Sequence, residues 1–240
     1  MFLVLLFAVG VVSGATAAVA GFGIGSLLTP LLAVRVGTGT AIAAVALPHA
    51  AASALRFWRL RAAVDWRVIR EFGLLSAAGG LIGALLYSRL SSRSLTIVLG
   101  LLLVATAAAG LTGWATRWRT TGVVSAVLGL LSGFFGGIAG NQGGLRAAAL
   151  LGFRLAPTVY VATSTAIALL VDAARTPIYL WGAGPALTRL ASPIVVATIG
   201  VLVGTMLGER LLLGLSVDRF RRVVSVLIGA LGVWLLVRST

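Results

Sequence analysis

The sequence contains no cysteine, no lysine and few acidic residues. Of its 240 residues, five are acidic, one is histidine and all 19 basic residues are arginine. Without cysteine there is no disulfide framework, no thiolate metal site and no cysteine nucleophile. A phosphate-binding loop, a metal-ligand pair and paired carboxylates are also missing. We therefore expect no enzymatic activity, no metal and no cofactor.

Charge of either sign is scarce relative to apolar side chains. Charged residues make up 10% of the chain, against roughly 25% in soluble domains, and 60% is hydrophobic. This leaves too little polar surface for a soluble globule and predicts an integral membrane protein. The net charge of +14 comes from arginines at the ends of apolar runs. These arginines indicate topology and lipid headgroup contacts, and they predict no nucleic-acid partner.

Long apolar runs divide the chain into ten segments. Continuous runs without alternation favour helices over a barrel, so the predicted fold is an all-α membrane helix bundle. We interpret the first run as part of this fold, because it lacks the basic start of a signal peptide. Only the second and seventh runs are much shorter than the ~20 residues of a full crossing. The runs are 2–20, 24–34, 38–56, 68–88, 94–114, 120–139, 144–153, 157–175, 190–210 and 219–238.

A glycine cluster precedes each short segment. The first is Gly-Phe-Gly-Ile-Gly at 21–25 and the second is Gly-Asn-Gln-Gly-Gly at 140–144. Shifting the chain by about 118 residues superimposes Gly25 on Gly143 and Ala44 on Ala162. This spacing predicts two internal repeats, 1–116 and 117–240, within a single transmembrane domain.

The number of crossings decides how the two repeats are related. Five crossings per half give inverted repeats, and four give parallel ones. A ten-crossing path places twelve arginines on one side and six on the other, whereas an eight-crossing path gives ten against eight. The positive-inside rule therefore favours inverted five-plus-five repeats with both termini outside the cytoplasm. The eight-crossing, four-plus-four path remains the alternative.

Several of these motifs together resemble a known family. They are the 21–26 run Gly-Phe-Gly-Ile-Gly-Ser with Thr-Pro-Leu-Leu at 29–32, the glycine-rich stretch 132–144, and Val-Asp-Trp-Arg at 64–67. Their order is similar to that of the TauE/SafE sulfite exporter family. The resemblance implies a secondary transporter in the cell (inner) membrane that exports small sulfur-containing anions, such as sulfite or short organosulfonates. Asn141, Gln142 and Arg146 depart from the family's usual glycine and apolar residues, so the anion could differ.

The chemistry of interrupted helices independently points to an anion. A helix that begins inside the membrane has unpaired N–H groups and partial positive charge at its start. Two such starts facing each other near the midplane would form one site. The predicted lining residues are Gly23, Gly25 and Ser26 from the first half and Asn141, Gln142, Gly143 and Gly144 from the second. The alternative for the glycines is close helix packing.

Polar residues within the apolar segments are further candidates. Arg146 is predicted to contact the anion; the alternatives are extension to the interface or a pair with Asp172. Thr163 and Ser164 supply hydroxyl donors, which can instead bond to their own helix. His49 and Asp172 are possible proton-coupling residues, although His49 could simply be a packing residue and Asp172 could pair with Arg175 near the membrane edge.

Two further interpretations stay open at this level. One is a non-transporting membrane scaffold or partner subunit of a sulfur-metabolism or assembly system, in which the glycines serve packing alone. The other is a channel, which interrupted segments favour less than a closed midplane site. The expected partners are a small anionic substrate and membrane lipid, with a homodimer possible.

Overall fold

The protein is an all-helical membrane bundle, as predicted. The computed structural model describes residues 1–112, 121–141, 143–211 and 217–239, and these contain no strand. Their helices are α1 (Phe2–Ala20), α2 (Ile24–Val36), α3 (Thr38–Leu60), α4 (Trp66–Tyr87), α5 (Ser92–Thr112), α6 (Gly122–Ala139), α7 (Gly143–Leu151), α8 (Pro157–Arg189), α9 (Ala191–Leu211) and α10 (Val217–Ser239).

Length and hydropathy make most of these helices membrane-spanning. Seven helices in the described part of the chain are long and apolar enough to cross a bilayer. Large apolar side chains such as Leu101, Val123 and Trp181 are exposed on the outside of the bundle. In a soluble protein such a surface would cause aggregation, whereas here lipid covers it. The chain is therefore a multi-pass membrane protein.

The two short helices follow breaks of the same form. Helix α1 ends at Gly21 with φ 75°, and α6 ends at Gly140 with φ 68°. Glycine occupies this left-handed conformation without the cost that a Cβ would add, and so terminates a helix. After these breaks α2 and α7 have 13 and nine residues. The prediction of short second and seventh helices is confirmed.

Helix packing follows a pattern that repeats between the two halves. Helix α1 packs along α9 and α6 packs along α4, while α3 packs on α8 and α5 on α10. Under the predicted repeat the first two contacts are counterparts of each other, and the last two each join a helix to its own equivalent in the other half. At the α4–α6 contact, Gly83 has no room for a side chain against the Phe134 carbonyl, a close approach typical of membrane helices. The repeat itself, whose boundary at 116/117 lies outside the described residues, stays a prediction.

Two cavities mark the opposite ends of the bundle. Arg93 and Arg238 line a cavity of about 410 Å³ that also includes Thr38, at the start of α3. A second cavity, of about 260 Å³, is lined by Arg67 and Arg154 and lies just beyond the end of α3. The ten-crossing path groups these arginines in the same way, whereas the eight-crossing path separates Arg93 from Arg238 and Arg67 from Arg154.

The eighth segment is longer than predicted. We expected it to end at Arg175, but α8 continues to Arg189 through Pro177 and Pro185. In an otherwise apolar sequence the charge at Arg175 predicts the end of the segment. In the structure Arg175 is 1% exposed and paired with Asp172, so its charge is accommodated inside the bundle and does not end the helix. Membrane helices also tolerate proline because neighbouring groups satisfy the freed backbone atoms.

Candidate functional site

The two helix breaks lie against each other in the interior of the bundle. A methyl group at Gly25 would overlap the Gly140 carbonyl oxygen, and one at Gly143 would overlap Cα and Cβ of Phe22. Each break therefore packs on the other, and the α2 and α7 starts meet as predicted. This contact between the two breaks itself requires glycine at 25 and 143, as expected if the glycines serve close helix packing.

A polar contact joins the two halves at this point. Ser26, in the first turn of α2, donates its Oγ proton to Asn141 Oδ1 at 3.1 Å, and both side chains are buried. The amide Nδ2 of Asn141 is also buried but has no hydrogen-bond partner among the described residues. Such an unpaired donor is costly in an apolar interior. Asn141 can thus donate to a further acceptor.

Arg146 connects α7 to both the first break and α8. Its Nε donates to Ser164 Oγ at 3.0 Å and its Nη2 to the Gly21 carbonyl at 3.2 Å. The side chain is 1% exposed, and Nη1 has no hydrogen-bond partner among the described residues. Neither alternative for this residue is observed, since Arg146 neither reaches the interface nor has an ion pair with Asp172 in the described structure.

His49, Asp172 and Arg175 form a second buried group. His49 Nδ1 lies 2.7 Å from Asp172 Oδ2, and Arg175 Nη2 donates to Asp172 Oδ1 at 2.8 Å. The expected Asp172–Arg175 pair is present, and both residues are 1% exposed inside the bundle. A buried carboxylate with two such partners is stabilised in its ionised form.

The charges of these groups do not cancel. Arg146 and Arg175 are both cations, Asp172 is the anion within their electrostatic range, and His49 carries no charge when neutral. The four groups thus hold one excess positive charge in a buried region. Because an uncompensated buried charge is strongly unfavourable, an anion that reaches Arg146 would be bound there.

The remaining predicted residues lie in different surroundings. Gly23 packs against the Thr16 side chain and Gly144 against Thr106. Thr163 Oγ1 accepts the Asp65 backbone N–H at 2.9 Å and so holds the turn before α4. Gln142 lies outside the described residues. The structure therefore brings together Gly25, Ser26, Asn141, Gly143, Arg146 and Ser164.

Sequence reasoning missed two participants. The sequence predicts Arg175 as a segment end and as a partner for Asp172, yet its Nη1 also donates to the Gly136 carbonyl at 2.5 Å, close to the second break. Tyr179, one turn further along α8, donates to the Gly137 carbonyl. The spacing of Asp172, Arg175 and Tyr179 on one face of an apolar helix was the available signal.

The sequence model of sulfite exporter TauE/SafE proteins matches residues 6–235. This match includes both breaks, Arg146 and the group around Asp172. The chain belongs to the TauE/SafE sulfite exporter family. TauE/SafE proteins are membrane transporters, so the two breaks lie in a transport protein. No match was found among curated proteins or among solved structures.

Proposed function

We propose that this TauE/SafE protein exports a small sulfur-containing anion, sulfite or a short organosulfonate, across the cell (inner) membrane. Transport proceeds by alternating access around the two helix breaks. The observation that carries this proposal is Arg146, which is buried between the breaks with one guanidinium nitrogen unpaired. A sulfite or sulfonate group offers three oxygens that accept hydrogen bonds from such donors.

Three features support an anion at this position. The buried groups hold one excess positive charge, Asn141 adds an unpaired amide donor, and the N-termini of α2 and α7 contribute partial positive charge. Arginine is suited to this role because its planar donors match oxyanions and its hydration is weak.

The close contact of the breaks supports a small substrate. Gly25 is packed on the Gly140 carbonyl and Arg146 is 1% exposed, so the breaks are closed against each other in this conformation. Movement of the two halves against each other would open the site to either side, as in transporters with inverted repeats. The similar packing of the equivalent helices in each half supports such a movement.

Anion flux into proteoliposomes tests this function. We expect wild-type protein to move sulfite or methanesulfonate and Arg146→Gln to lose at least about tenfold in rate, the effect of about 1.4 kcal/mol. Arg89→Gln is the matched control, since Arg89 is exposed beyond the end of α4. Equal flux in the two variants would contradict the assigned site, and no flux of any sulfur anion by wild type would contradict the function.

A further inference from the structure

His49, the single histidine of the chain, lies in the middle of α3 and is 9% exposed. Its Nδ1 is bonded to ionised Asp172, which fixes the tautomer: Nδ1 carries a proton and donates it to Oδ2. In the neutral ring Nε2 is therefore the nitrogen that is able to accept another proton. A histidine held in this way can change its charge without losing its partner.

The charged groups around His49 come from two helices. Helix α8 contributes Asp172 and Arg175, and α7 contributes Arg146, all within electrostatic range of the imidazole. On its own helix the neighbour is the Ser53 hydroxyl, 3.5 Å from Nδ1. Helices α2, α5 and α9 also pack on α3. The described side chains of α9 carry no charge, Arg35 of α2 is stacked on Phe2 at one end of the bundle, and Arg93 of α5 lines the cavity at the start of α3.

These charges make the protonation of His49 depend on the occupant of the site. With neutral His49 the buried groups hold one excess positive charge, and protonation raises the excess to two. An anion beside Arg146 removes one of these charges, so the imidazolium becomes less costly when the anion is present. By thermodynamic linkage, protonation of His49 must strengthen anion binding by the same factor.

The same group is connected to the second break. Arg175, held by Asp172, donates to the Gly136 carbonyl, and this carbonyl also accepts the Gly140 N–H at 3.0 Å. Protonation of His49 thus changes the charge at one end of a chain of contacts, through Asp172 and Arg175, that leads to the Gly136 carbonyl at the end of α6. The histidine is placed to affect both the anion and the helix end beside it.

We propose that His49 is a proton-binding residue of the anion site, so that a proton on His49 Nε2 and an anion at Arg146 bind together. The proton comes from solvent, and Asp172 stays ionised as its counter-ion. This inference rests on the proposed anion site. It also implies that a dianion is bound with a protonated His49 more readily than with a neutral one.

Methanesulfonate is the appropriate probe, because its charge does not change over the pH range in which histidine titrates, about pH 5 to 8. We expect detergent-solubilised wild-type protein to bind it at least about fivefold more tightly at the acidic end of this range, the lower limit of typical couplings. In weakly buffered solution, a pH indicator should report proton uptake when methanesulfonate is added. Binding without any pH dependence or proton uptake would overturn the inference and leave the anion site intact.

A single histidine allows the proton to be located directly. In protein labelled with ¹⁵N-histidine, methanesulfonate should move the imidazole titration midpoint to higher pH, a measurement that needs no substitution. His49→Gln should still bind methanesulfonate but with a pH-independent affinity and no proton uptake. Uptake equal to that of wild type would overturn the assignment to His49.

Arg146→Gln separates the inference from the proposed function. It should abolish methanesulfonate binding and the accompanying shift of the imidazole signal, while His49 still titrates. If wild-type protein binds no methanesulfonate at any pH and no sulfite either, the proposed anion site fails, which is distinct from binding without proton uptake.

Discussion

At the scale of single residues, Arg146 and Asn141 carry most of the functional argument. Both are polar and both lie within five residues of Gly143, at the start of a nine-residue helix. The sequence alone predicted them as site residues because polar groups in an apolar segment need partners. It did not identify which partners they have: the Gly21 carbonyl that accepts from Arg146 is a backbone atom, and no residue type predicts it.

A carboxylate at position 141 should take the place of the anion. In Asn141→Asp the Ser26 hydroxyl still has an oxygen to donate to, and the new charge balances the excess positive charge near Arg146. We expect methanesulfonate binding to be lost while the melting temperature in detergent is maintained or raised, because a buried charge gains a partner. Ser88→Asp adds the same charge at an exposed position and should leave binding unchanged. Binding by Asn141→Asp with wild-type affinity would contradict a role for this residue.

At the scale of helices, the interrupted segments were the most predictable feature. Glycine clusters before short apolar runs indicated helix ends inside the membrane, and the observed ends at Gly21 and Gly140 follow from the left-handed conformation of both glycines. The course of α8 was not predictable in the same way. Whether Arg175 ends a helix or lies within it depends on Asp172 and the Gly136 carbonyl, and the second of these is distant in sequence.

The end of α6 should be sensitive to a single methyl group. Gly140→Ala places a Cβ on a residue with φ 68° and 3.3 Å from Ile42 Cγ2. The left-handed conformation alone costs about 1–2 kcal/mol, so the unfolding free energy in detergent should fall by about that amount, and flux should fall with it. Gly182→Ala is the matched control, because Gly182 lies inside α8 away from its prolines and no atom beyond its immediate surroundings in the helix lies within 4 Å of the added methyl group. Within a helix, alanine there should be neutral or stabilising by up to ~1 kcal/mol. Equal stability of the two variants would contradict the role of Gly140 as a helix end.

At the scale of the whole molecule, the sequence indicated the number of membrane crossings only in part. The bias of arginine toward one side favoured ten crossings, although Arg175 was counted at an end and is in fact buried. The packing of the helices adds information that the arginine count alone does not contain. Arg93 and Arg238 line one cavity although 145 positions separate them, a proximity that depends on the number of crossings between them.

The absence of cysteine makes this topology directly measurable. With single cysteines introduced at 92 and 238, a membrane-impermeant maleimide should label both positions from the same side of intact cells, because both line the same cavity. A cysteine at Thr121, in the cavity at the other end, should be labelled only after the membrane is opened. Labelling of positions 92 and 238 from opposite sides would support the eight-crossing path instead.

The enclosure of Arg146 has a consequence for selectivity. A guanidinium that is 1% exposed has given up its own hydration, so an arriving anion must give up most of its water as well. The affinity of each anion then depends on the balance between this dehydration cost and the new hydrogen bonds, and its charge alone does not determine it. Singly charged, weakly hydrated anions should bind more tightly at such a position, whereas sulfate would need to release far more tightly held water for the same contacts. Competition among anions should therefore follow the order of their hydration energies.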